Sequence, residues 1–121
     1  MARHAEEGLH SFENVCVLVT GAGRGIGKRL AIGFAQRGAR VGLLARSKAE
    51  LDLTQLEIDH SGGTAIRLRA DVRHLFEVQS AVDRMRAHFG AVDVVIGAAG
   101  IQGPIGPFLE NDGDDWWETL E

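Results

Sequence analysis

The 121-residue sequence contains no tyrosine, one cysteine and two prolines. Without tyrosine, no phenol can take part in its chemistry. With Cys16 alone no intrachain disulfide forms, which fits a reducing compartment. Histidines 4, 10, 60, 74 and 88 show neither H-x-x-x-H nor H-E-x-x-H grouping, so no zinc site is expected. No stretch approaches the ~18 consecutive apolar residues of a membrane span. The opening MARHAEEGLHSFE is charged, lacks the apolar run of a secretory signal and reads as a loose arm over 1–13. A cytoplasmic protein with no membrane partner is the expectation. Basic residues are also scarce: 13 Lys and Arg against 17 Asp and Glu give a formal net charge of −4. That balance does not favour nucleic acid as a partner.

Glycine, by contrast, is abundant at 16 residues, which suits tight turns between regular elements. Val15 to Thr20 is a continuous apolar run and predicts a buried parallel strand. Ile26, Leu30 and Phe34 follow at helical spacing, with Gly38 as the stop. Val41 to Ala45 predicts a second strand. Ser47-Lys48-Ala49-Glu50 has the spacing of a capping box and should open a helix with Ala49, Leu53 and Leu56 inward. Gly62-Gly63 ends it, and Thr64 to Ala70 predicts a third strand. Val78, Val82, Met85 and Phe89 line a third helix ending at Gly90. Val92 to Ala98 predicts a fourth strand. A Gly/Pro-rich loop, 100–107, leads to a helix start at Asp114-Asp115-Trp116-Trp117, with acids favourable at its N-terminus. Strands alternating with helices argue an α/β fold, a doubly wound parallel sheet of three αβα layers.

The first turn carries the chemistry. In "VLVTGAGRGIG" a strand feeds a glycine loop that feeds a helix. Backbone N–H groups at a helix N-terminus have no intrahelical partner, and the dipole favours an anion. A Cβ in the loop would hold a phosphate off the backbone. The dinucleotide fingerprint G-x-G-x-x-G does not fit, because Ile26 or Lys28 stands where the third glycine would be. A Walker A loop fails too, since no G-K-[ST] follows. What fits is T-G-x-x-x-G-x-G on Thr20, Gly21, Gly25 and Gly27.

This pattern resembles the classical short-chain dehydrogenase/reductase family. The resemblance extends to Asp71-Val72 after the third strand and to Ala98-Ala99-Gly100 after the fourth. There the family usually has N-N-A-G, so Gly97 and Ala98 replace two asparagines. It implies a Rossmann-type fold with four of the usual seven strands, residues 14–121 forming the N-terminal portion of a cofactor-binding domain. It implies a cofactor site built from Thr20, Gly21, Gly23, Arg24, Gly25, Ile26 and Gly27, with Asp71 on the adenine amino group and Val72 on the ring. Ala98, Ala99 and Gly100 would pass the adenosine ribose.

An NAD site usually carries an acid near the end of the second strand, where it accepts from ribose hydroxyls. Here that position is Ala45, followed by Arg46 and Ser47. Arg24 lies within the glycine loop. Two guanidiniums and a hydroxyl suit a dianionic phosphate. In the family, basic residues at these positions mark NADP(H), which is expected here over NAD(H).

The resemblance also says what is missing. Family chemistry uses a serine, the tyrosine and lysine of Y-x-x-x-K, and an asparagine in the fourth helix. The serines here, at 11, 47, 61 and 80, all precede the fourth strand, and there is no tyrosine. No catalytic residue is assigned. The expectation is the cofactor-binding half of an oxidoreductase moving hydride between NADP(H) and a small carbonyl or alcohol substrate, homo-oligomeric when full-length. The alternative is a non-catalytic nucleotide-binding fragment or truncated product. A different Rossmann enzyme, such as a methyltransferase, is disfavoured by the loop spacing and the two arginines.

Overall fold

The computed structural model describes residues 12–97 of the chain. Four strands, β1 (Cys16–Thr20), β2 (Arg40–Ala45), β3 (Thr64–Arg69) and β4 (Val94–Gly97), alternate with three helices. These are α1 (Gly25–Gln36), α2 (Lys48–His60) and α3 (Leu75–Phe89). The strands form one parallel sheet in the order β3-β2-β1-β4. Each expected strand is present, with ends moved by one or two residues. The helix expected near 114–117 and the loop 100–107 lie outside the described residues.

β1 is buried along its whole length because it is paired on both edges and covered on both faces. Its alternate side chains divide between two cores. Val17 and Val19 join Val41, Leu43 and residues of α1 and α2 on one face. Cys16 and Leu18 join Leu44, Leu68 and residues of α3 on the other. A continuous apolar run is what two-sided burial demands. Cys16 is held by this packing: its Sγ lies 3.6 Å from the Phe89 carbonyl, and burial with the nearby Asp93 carboxylate pushes the thiol up. It is a core side chain, not a reactive one.

Two helices turn a different face inward from the one their large apolar residues suggest. α1 buries Gly27, Ala31 and Ala35, leaving Ile26 71% and Leu30 37% exposed. Phe34 sits at the core margin, its ring edge-on to Phe12. Small residues let α1 lie close over the sheet. α2 buries Leu51, Thr54 and Ile58, while Leu53 and Leu56 are exposed. The Thr54 hydroxyl donates to the Ala22 carbonyl at 3.0 Å, so a polar residue occupies the inward stripe to hold the glycine loop. α3 follows expectation, with Val78, Val82 and Met85 buried and Phe89 packed at the rim.

The inward face of α2 is testable by urea unfolding. Leu51→Ala should cost about 2–5 kcal/mol, whereas Leu56→Ala should change stability by about 0.5 kcal/mol or less. The reverse order would place the other face of α2 on the sheet.

Candidate cofactor site at the carboxyl edge

Parallel strands end on one edge, and the turns after β1, β2 and β3 meet there. The chain leaves β1 at Gly21 (φ 68°) and enters α1 at Gly25 (φ 60°), both left-handed conformations that side chains resist. The Ala22 N–H donates to Leu44 O at 3.1 Å and the Ala70 N–H to Ala45 O at 3.0 Å. These bonds carry the pairing past the ends of β1 and β3 and fix the three turns relative to one another. The Thr20 hydroxyl donates to Ile96 O at 3.3 Å and ties β1 to β4.

The result is an open groove of about 980 Å³. Its lining includes Gly21, Gly23, Arg24, Gly25 and Ile26 from the first turn, Arg46 and Ser47 from the second, and Asp71 and Val72 from the third. Nine of the residues named from sequence therefore share one surface. Thr20 and Gly27 do not line it. Thr20 is buried at 2% exposure and serves as the β1–β4 tie; Gly27 is buried on the inward face of α1 itself. Ala98, Ala99 and Gly100 lie outside the described residues.

Among the described residues, the N–H groups of Gly25, Ile26 and Gly27 have no acceptor, as expected for the first turn of a helix. Arg24 stands at the α1 N-cap in extended backbone, with no side-chain cap bond. Ser47 caps α2: its Oγ accepts from the Glu50 N–H at 3.2 Å. Its hydroxyl is thus already part of the helix start. Arg69 reaches back from β3, its Nε donating to the Arg46 carbonyl at 3.0 Å. That contact fixes the backbone from which Arg46 projects.

Two charged lining residues were not anticipated. Arg73 grips Asp71: its Nε lies 3.1 and 3.2 Å from the two carboxylate oxygens, its terminal nitrogen 2.8 Å from Oδ2, and its backbone N–H 2.9 Å from Oδ1. These bonds hold the Asp71 carboxyl far below the usual carboxylate range. The Asp71 N–H donates to Glu77 Oε1, and His74 Nδ1 lies 2.6 Å from Glu77 Oε2. The His74 contact, with the Asp71 N–H, lowers the Glu77 carboxyl. The second is Glu50, on the first turn of α2. Arg73 could have been suspected from its position two residues after Asp71. Glu50 reads from sequence as the last residue of a capping box, and no spacing marks it as a groove residue.

Free amides, guanidiniums, a hydroxyl and carboxylates around an apolar floor suit a phosphorylated nucleotide: anion at the helix start, ribose at the second turn, base at the third. A parallel sheet of this order with a glycine turn after its central strand defines an α/β domain of the Rossmann type. Comparison with known proteins narrows the class. The family model described as short chain dehydrogenase matches residues 15–121. The short chain dehydrogenase/reductase AacuN of Aspergillus aculeatus is 38% identical over 100 residues, covering 80% of this chain and 38% of that protein. A dehydrogenase/reductase from Sinorhizobium meliloti superposes with a TM-score of 0.76 at 28% identity, covering 97% of this chain and 46% of the other. A 7α-hydroxysteroid dehydrogenase complexed with NADH and 7-oxo glycochenodeoxycholic acid superposes with a TM-score of 0.72 at 30% identity, covering 82% and 39%. The chain belongs to the short-chain dehydrogenase/reductase family, a family of NAD(P)(H)-dependent oxidoreductases. It spans roughly a third to two fifths of the length of the curated relatives it matches.

The Asp71–Arg73 fork makes a direct prediction. Its depressed carboxyl keeps the pair ionised as pH falls through the normal carboxylate range, and it is lost only in strong acid. In Arg73→Gln, the Asp71 carboxyl should titrate at higher pH by NMR, back toward the ordinary aspartate range. An unmoved titration would mean that another group holds it.

Proposed function

We propose that this chain is the adenosine-side cofactor-binding portion, residues 14–121, of an oxidoreductase that moves hydride between NADP(H) and a small carbonyl or alcohol compound. Family membership and the glycine turn support dinucleotide binding. The observation that carries the NADP(H) assignment is the convergence of Arg24 and Arg46 on one groove with Ala45, not an acid, at the end of β2. The unpartnered amides of Gly25 and Ile26 would hold the pyrophosphate, assisted by the α1 dipole. Arg24 and Arg46 would take the 2′-phosphate, with charge-assisted bonds that a neutral ribose cannot make. Val72 would face the adenine ring and Asp71 its amino group. Ala98, Ala99 and Gly100 would run beside the adenosine ribose.

When bound, the nicotinamide supplies the hydride. The residues described here bind and orient its adenosine end; they include no tyrosine for proton transfer. The serine, tyrosine and lysine that the family uses would come from sequence other than these 121 residues. A cytoplasmic location is part of this reading, and Cys16, free and buried, is compatible with it. A homo-oligomeric parent is supported by the family resemblance alone. Among the described residues no helix is long and apolar enough to cross a membrane.

The phosphate assignment is tested by Arg24→Ala combined with Arg46→Asp in the full-length protein. Removing two charge-assisted contacts should weaken NADPH binding by about 100-fold or more while NADH binding changes little. Fluorescence titration of the reduced nicotinamides reads both constants. An unchanged ratio of the two affinities would remove the basis for NADP(H).

A further inference from the structure

The sequence spacing Ser47-x-x-Glu50 predicts a reciprocal cap, in which the glutamate side chain accepts from the N–H of Ser47. Only half of it forms. Ser47 Oγ accepts from the Glu50 N–H, but among the described residues the Glu50 carboxylate takes no bond from Ser47 N–H. It turns toward the glycine loop instead. A Cβ placed on Gly23 would lie 2.9 Å from both Glu50 Cβ and Glu50 Oε1. Glycine at 23 is therefore a close-approach residue: it makes room for Glu50 against the loop. No ion pair to Lys or Arg engages this carboxylate among the described residues. It lines the groove beside Arg24, Arg46 and Ser47.

We infer that Glu50 is a specificity-determining residue, its carboxylate setting how far the groove prefers a phosphorylated over an unphosphorylated dinucleotide. The inference rests on the cofactor assignment above. An ionised carboxylate accepts from ribose hydroxyls and repels a 2′-phosphate, the part that Ala45 cannot play. Glu50 supplies it from the next helix, and its charge opposes the attraction exerted by Arg24 and Arg46. The site then carries both determinants, and the preference is the difference between them.

Glu50→Gln keeps size and removes charge. In the full-length protein it should raise the NADPH-to-NADH affinity ratio by about tenfold at low ionic strength. The gain should shrink as salt is added, because screening weakens the repulsion that the substitution removes. Glu50→Ala should move the ratio in the same direction, and both variants can be checked for wild-type melting. An unchanged ratio, or a change independent of salt, would overturn the role of Glu50 and leave the cofactor assignment standing. Failure of the wild-type protein to bind either dinucleotide would overturn the assignment itself, and the inference with it.

Discussion

The structure depends on the two-sided pairing of β1. Cys16 to Thr20 is hydrogen-bonded to β2 on one edge and β4 on the other, and covered by helices on both faces. Nothing polar can be exposed along it, and its end cannot shift without breaking both ladders. The glycine turn therefore leaves the sheet from a fixed point. The one buried hydroxyl at its end, Thr20, is spent on Ile96 O. Thr54 then holds the turn from α2 through Ala22 O. The loop proposed to meet a phosphate is thus tied to β2, β4 and α2.

Rigidity of this kind matters for binding. Backbone amides at the α1 start can serve an anion only if they point the same way before it arrives. Arg46 is treated similarly, with Arg69 bracing its carbonyl, and Asp71 is locked in the fork of Arg73. Each of the three turns thus has a polar side chain and a second residue, remote in sequence or two positions on, that steadies it. Charge in the groove is mixed. The arginines would favour a phosphate, and Glu50 stands among them where the loop has no side chain at 23.

Most of the fold was legible. All four expected strands are in the parallel sheet: the continuous apolar runs of β1 and β2 carry the plain signature of two-sided burial, whereas Thr64 to Ala70 alternates and forms the largely exposed end strand β3. The helix faces were less legible for a physical reason. Ile26, Leu30 and Phe34 are larger than Gly27, Ala31 and Ala35, yet the smaller stripe lies on the sheet, since close packing rewards fit and not bulk. On α2 the inward stripe contains Thr54, whose polarity hid it until its acceptor, Ala22 O, was seen. In the site, the turn residues were visible from spacing, but Glu50 read as a capping residue. Only the three-dimensional approach of its Cβ to Gly23 reveals a side chain in the groove. Gly23 read as one more glycine of the cofactor loop, when its missing side chain is also what makes room for Glu50.

The central claim is that the β1–α1 turn and the end of β2 together bind the adenosine phosphates of NADP(H). Its most direct test is a titration of the isotopically labelled full-length protein with NADPH, followed by NMR. The account predicts the largest changes at the amides of Gly21, Gly25 and Ile26 and at the side chain of Arg46, with little change along the outer face of α2. Saturable binding that leaves those signals unmoved would contradict it.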